Sequence, residues 1–268
     1  MRFWVLFGAL CVSAASAASL YDQAVSRMLE RRFSGGGISY LLLDARTGAV
    51  LGSRWEEPGP FGSLIKPFTA LAYAQTHGFE YPQYVCTGVT GGCWLPRGHG
   101  RIGIRQAIGL SCNAYFRALA AAVRSRDVVA VMHRFGIQGL EEDAPATALV
   151  GLGKDWKAAP LEMARAYCEL ASRSAEPGAD ELLCGMALSA RSGTGSAVGR
   201  ALGGAGALVK TGTAPCIHLR RQPGDGYVMA LYPQEHPNFA LLVRVHGVPG
   251  AKAAAVAGEM LRAVLEGK

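Results

Sequence analysis

Charged residues make up only 18% of this 268-residue chain, against 50% apolar. That balance excludes a disordered polyelectrolyte and leaves ample material for a core. The basic excess, 27 Lys and Arg against 20 Asp and Glu for a net charge of +7, is scattered in pairs such as Arg31-Arg32 and Arg220-Arg221. Without a clustered stripe and interleaved aromatics, no nucleic-acid partner is expected. The chain has no G-x-x-x-x-G-K-[ST] loop. Its Gly-rich run GTGSAVG, starting at Gly193, follows a helix pattern and precedes a strand pattern, the reverse of a dinucleotide fingerprint. No nucleotide is expected either. There is no G-x-S-x-G elbow, and His99 in RGHGR reads as a turn residue, which argues against a Ser-His-Asp triad. Glu141, Glu142 and Asp143 read as a solvated acidic cluster, not as a glycosidase carboxylate pair. Internal repeats, low-complexity tracts and an interdomain linker are missing as well.

Long apolar runs are confined to the first residues. Arg2, the run FWVLFGALCVSA and the small-x-small triplet Ala15-Ser16-Ala17 predict a signal peptide over 1–17, cut before Ala18. The charge-free stretch from Phe3 to Tyr21, 19 residues, also has the length of a retained N-terminal anchor. On either reading residues 18–268 are exported, to the periplasm or cell envelope, as a single domain. Export changes the meaning of cysteine. Seven minus Cys11 leaves six, an even number in an oxidising compartment. Cys86 and Cys93 bracket the Gly-rich loop TGVTGG, and a disulfide is predicted between them. Adding His99 makes C-x6-C-x5-H, an unusual spacing for zinc, so no metal and no cofactor is expected. Cys168 with Cys184 is a weaker pair, and Cys112 and Cys216 read as buried thiols.

Periodicity places a helix over LYDQAVSRMLERRF and two strands in ISYLLLDARTGAVLGSRW around the turn at Asp44–Gly48. A long helix follows GSLIKPF, to about Gly78. Residues 79–104 read as loop, and 105–125, 128–136 and 160–173 as helices. ELLCGMALSARSG starts another helix. LVKTGTA, GYVMALYP and FALLVRVHG read as strands, and AKAAAVAGEMLRAVLEG as a closing amphipathic helix. Strands at both ends with helices between predict an α+β fold. It is an antiparallel sheet built from both chain ends, flanked by helices, with an all-helical subdomain inserted over about 62–205.

The chemistry concentrates in three short motifs. In GSLIKPF, Ser63 and Lys66 are three apart at a helix start, which puts them on one face with Cβ atoms about 5–6 Å apart. An amine there can take the hydroxyl proton. Downstream come Ser111-Cys112-Asn113 and then Lys210-Thr211-Gly212-Thr213. S-x-x-K, S-x-N and K-T-G in this order, each on the expected kind of element, mark lysine-activated serine acyl transfer.

With these motifs the chain resembles the transpeptidase domain of penicillin-binding proteins over about 38–265. YLLLDARTGAVL is similar to that family's opening strand pair, and GHGRIGIRQAIGLSCNAYFRALA to the segment through its second motif. LVGLGKDWKAAPLEMARAYCELA resembles the stretch closing its helical region, and SGTGSA its lead-in to the third strand. The resemblance implies Ser63 as acylated nucleophile and Lys66 as its base. It implies Ser111 as proton relay, with Asn113 orienting Lys66 and holding substrate, and Lys210 adding positive field. Thr211 and Thr213 would bind the substrate carboxylate beside Gly212, and the N–H groups of Ser63 and Thr213 would form an oxyanion hole. Glu162 would cap a helix, not activate water. Peptidoglycan stem peptides would be the substrates, β-lactams the inhibitors, and a cell-wall protein a placing partner. The missing glycosyltransferase module and pedestal imply a catalytic domain by itself. Two alternatives stay open. A class D-like serine β-lactamase suits the compact motif separations of 48 and 99 residues. Against it, Asn113 replaces an aliphatic residue and Phe135-Gly136-Ile137 replaces Tyr-Gly-Asn. The other alternative is a degenerate penicillin-binding scaffold module.

Overall fold

A computed structural model describes residues 20–153, 156–216 and 224–267. The signal-peptide reading of 1–17 lies outside them. Helix α1 (Leu20–Arg32) leads into β1 (Ile38–Asp44) and β2 (Val50–Ser53), joined by a turn in which the Asp44 carboxylate accepts from the N–H groups of Arg46 and Thr47. A 3-10 turn over Gly62–Ile65 runs into α2 (Lys66–Thr76), with Pro67 where a helix start tolerates a missing N–H. Then come β3 (Tyr84–Cys86), β4 (Gly100–Ile102), α3 (Ile104–Gly109), α4 (Asn113–Ala121), α5 (Ser125–Arg134) and the single turn α6 (Ala146–Leu149). Helices α7 (Pro160–Ser172), α8 (Ala179–Ser192) and α9 (Ser196–Ala201) close the helical part. The chain returns through β5 (Leu208–Ala214), β6 (Asp225–Tyr232) and β7 (Phe239–His246) to α10 (Gly250–Glu266).

The main sheet has the order β2-β1-β7-β6-β5, every neighbour antiparallel, so strands from both chain ends meet at the β1–β7 pair. Alternation sends successive side chains to opposite faces, and both faces are covered. Tyr40, Leu42, Val228, Leu241 and Val243 pack with Val25, Leu29, Ala257, Met260 and Leu261 of α1 and α10. Leu41, Leu43, Met229, Leu231 and Leu242 face the helical part, in one core with Phe68, Phe116, Met132 and Tyr167. Burial on both sides explains why these antiparallel strands read as nearly unbroken apolar runs. The α+β architecture expected from the sequence is the one observed.

Two local expectations need correction. The single helix read over 105–125 is broken between α3 and α4, where Ser111 has φ +51°. The stretch read as loop, 79–104, holds a two-stranded sheet of β3 and β4. These strands are three residues each, too short to show a period in sequence.

Candidate active site

Helix α2 is buried along nearly its whole length, Lys66 included, so its N-terminal turn is anchored in the core. The Tyr167 hydroxyl donates to the Leu64 carbonyl at 2.8 Å, and the Thr69 hydroxyl to the Leu149 carbonyl. The Lys66 N–H bonds the Ser63 carbonyl, closing a 3-10 turn. In such a turn side chains at i and i+3 eclipse, so Ser63 and Lys66 share one side.

The edge strand β5 passes directly over this turn. Gly62 has φ +57°, and a Cβ there would lie 2.4 Å from the Thr213 carbonyl oxygen. A Cβ on Gly212 would lie 2.4 Å from the Phe61 carbonyl oxygen. Two glycines therefore let the serine turn and the K-T-G strand touch backbone to backbone. Strand and turn alike have no room for a side chain between them.

The third element is the break after α3. Ser111 N–H bonds the Ile108 carbonyl at 3.2 Å and Cys112 N–H the Ala107 carbonyl at 3.0 Å, closing the helix end. The left-handed backbone of Ser111 costs about 1–2 kcal/mol in a residue with a side chain. It aims the hydroxyl between two lysines. Lys66 Nζ donates to the Asn113 Oδ1 at 2.7 Å, the Ser111 carbonyl at 3.0 Å and the Ser111 Oγ at 3.4 Å. Lys210 Nζ donates to the same Oγ at 2.9 Å and to the Thr211 carbonyl at 2.7 Å. Ser63, Lys66, Ser111, Asn113 and Lys210, predicted from motifs 147 residues apart at their extremes, thus stand at one place.

Burial governs the charges here. Both lysine side chains are fully buried, with no carboxylate among their hydrogen-bond partners in the described residues. Desolvation pulls the Lys66 pKa down to about 7, offset in part by Cys112 and Cys93 and assisted by Arg117. Lys210 is pushed well below its ordinary value by burial first and by the Lys66 charge second. A lysine neutral near pH 7 is a competent base.

Thr211 and Thr213 flank Gly212 as expected, but both hydroxyls already have protein partners. The Thr211 hydroxyl donates to Thr194 Oγ1 at 2.6 Å, and Thr213 Oγ1 accepts from the Gly250 N–H at 3.0 Å. Thr194 was not singled out from sequence; its signal is its place in SGTGSA, which eleven residues separate from VKTGTA. Trp94 was missed as well. Its indole N–H donates to the Ser111 carbonyl at 3.3 Å while half the residue stays exposed. Glu162 caps α7, its carboxylate accepting from the Ala159 N–H at 3.3 Å. The Cys86–Cys93 disulfide is not formed: among the described residues all six cysteines are free, and Cys86 and Cys93 both face His99.

Residues 38–266 match the family described as the penicillin binding protein transpeptidase domain. The chain belongs to that family. Among solved structures, PBP2 of Pseudomonas aeruginosa shares 18% identity at a TM-score of 0.75, covering 91% of this chain and 74% of that one. The D,D-transpeptidase domain of a peptidoglycan glycosyltransferase from Eggerthella lenta gives 18% and 0.73, over 90% of this chain and 81% of that one. PBP2 of Helicobacter pylori, solved in complex with MreC, gives 18% and 0.75, over 91% of this chain and 63% of that one. At such identities the likeness establishes the fold of this transpeptidase domain. No curated protein matches the chain.

Proposed function

We propose that this transpeptidase domain is an exported serine D,D-acyltransferase that cleaves stem peptides ending in D-Ala-D-Ala through a Ser63 acyl-enzyme. The observation that carries the reading is the buried Lys66, one turn from Ser63 and held by Asn113 and Ser111, with no carboxylate bonded to it among the described residues. Neutral Lys66 takes the Ser63 proton as Oγ attacks the carbonyl carbon of the penultimate D-Ala. The oxyanion sits between the N–H groups of Ser63 and Thr213, worth about 3–4 kcal/mol per donor. Support for that placement comes from the contact of the Gly62 and Thr213 backbones. Ser111, between the two lysine side chains, passes the proton taken up by Lys66 to the leaving nitrogen, and the terminal D-Ala departs with a free amine. Lys210, Thr211 and Thr213 supply the positive and hydroxyl environment for its carboxylate. Strand β5 lies at the sheet edge, so an extended peptide can run along it beside Gly212. A second amine then takes the acyl group to give a cross-link, or water takes it to give carboxypeptidase activity.

A β-lactam fits the same scheme with a leaving group that cannot depart. The test is the intact mass of purified protein after penicillin, followed over hours, with Ser63→Ala alongside. A stable adduct that Ser63→Ala lacks is the expected result. An adduct lost within seconds as penicillin is consumed would make the protein a β-lactamase, and no adduct at all would make it a scaffold module.

A further inference from the structure

Three cysteines and a histidine that acyl transfer does not use converge behind the Ser111 turn. Cys86 ends β3, Cys93 follows a 3-10 turn, His99 leads into β4, and Cys112 is the N-cap of α4, between Ser111 and Asn113. Their ligating atoms all lie within 4.8 Å of one another. His99 Nδ1 is 3.5 Å from Cys86 Sγ and 3.6 Å from Cys93 Sγ, and Cys93 Sγ is 3.7 Å from Cys112 Sγ. A tetrahedral zinc ion has Zn–S near ~2.3 Å and Zn–N near ~2.0–2.1 Å. From those lengths its S···S edges are about 3.8 Å and its S···N edges about 3.6 Å. These three separations match such edges, and the other three lie within 4.8 Å. They are far longer than the ~2.05 Å of a disulfide. Nor can one disulfide serve three thiols gathered around one imidazole.

The surroundings suit anionic sulfur. N–H groups of Leu95, Asn113 and Ala114 point at the Cys93 sulfur, and that of Tyr115 at the Cys112 sulfur. Three of these belong to the first turn of α4, whose amides have no acceptor within the helix. The Trp94 ring packs edge-on against His99 with centroids 5.5 Å apart, and its indole N–H reaches the Ser111 carbonyl.

We propose that Cys86, Cys93, His99 and Cys112 form a structural zinc(II) site. The four protein ligands close the tetrahedron, which leaves no position for water or substrate and separates the site from the acyl-transfer chemistry. On binding, three thiols release their protons to solvent, and three thiolates and the Nδ1 lone pair enter the zinc shell without any change of oxidation state. The ion ties the β3–β4 sheet to the start of α4. It also holds Cys112, and with it the left-handed turn that aims Ser111 and Asn113 at Lys66. This revises both the absence of a metal and the Cys86–Cys93 disulfide expected from sequence. The pattern C-x6-C-x5-H hides the site because its fourth ligand arrives from the middle of the S-x-N motif, thirteen residues further on.

The test is the zinc content of the full chain, purified without chelators or a metal-affinity step. About one zinc per chain is expected, retained in Cys184→Ser, an exposed thiol, and lost in Cys93→Ser and in His99→Ala. Should those variants not fold, wild-type protein expressed with cobalt(II) in minimal medium is to show the visible bands of tetrahedral, thiolate-rich cobalt. Metal-free wild-type protein without that spectrum would overturn the proposal. So would a mapped disulfide among Cys86, Cys93 and Cys112, or zinc kept by Cys93→Ser and His99→Ala. None of these measurements depends on acylation of Ser63, so the zinc site and the acyl-transfer reading stand or fall separately.

Discussion

Two side chains carry contrasts that sequence motifs leave unstated. Lys66 can serve as the base proposed for it only when neutral, and burial lowers its pKa to about 7. Acylation by penicillin is therefore expected to rise with pH, reach half its plateau near pH 7, and fall about tenfold per unit well below it. Stopped-flow acylation rates from pH 5 to 9 check this; a flat profile would remove Lys66 as the base. At Ser111 the strained φ of +51° and the hydroxyl proposed as a relay can be separated. Ser111→Gly and Ser111→Ala both lose the hydroxyl, so both should slow acylation about 10²–10⁴-fold. Only glycine relaxes the backbone, so Ser111→Gly should be more stable than Ser111→Ala by about 1 kcal/mol in denaturant titration. The motif S-x-N was readable in the sequence; its left-handed serine was not, since nothing in RQAIGLSCNAYF interrupts a helical period.

Among the elements, the decisive contact is between the 3-10 turn before α2 and the edge strand β5. Gly62→Ala would drive a methyl group to 2.4 Å from the Thr213 carbonyl oxygen and impose strain at φ +57°. A loss of about 2–4 kcal/mol is expected, with acylation reduced far beyond the fraction unfolded, because turn and strand must part. Thermal denaturation together with penicillin labelling of the folded fraction measures both. The elements themselves were largely legible. Alternating or unbroken apolar runs marked β1, β5, β6 and β7, and the 3.6-residue period marked α1, α7 and α10. What stayed hidden were β3 and β4, too short for a period, and the break between α3 and α4, where tertiary contacts override local helix preference.

For the whole molecule, the sheet needs both chain ends and a helix on each face. Ala253, Ala254, Ala257, Met260, Leu261 and Val264 of α10 are all buried against it. A chain stopped at Val248 would expose that face. It is expected to lose its cooperative thermal transition, bind a hydrophobic dye and take no penicillin label, although every motif residue is still present. A dye-binding and labelling comparison with the full chain checks this. Such a result follows from Lys210 and Thr213 lying on β5, the strand that α8 and α10 pack against.

The sequence by itself determined the fold class, the order of elements and the motif residues, because apolar periodicity and three short motifs are local and survive any folding. Only the tertiary structure decided what those residues meet. Desolvation of Lys66 depends on packing from α4 and β5, distant in the chain, and no local pattern encodes it. The four-residue cluster of Cys86, Cys93, His99 and Cys112 depends likewise on a backbone reversal at Ser111 that brings a thiol from one segment to three ligands on another.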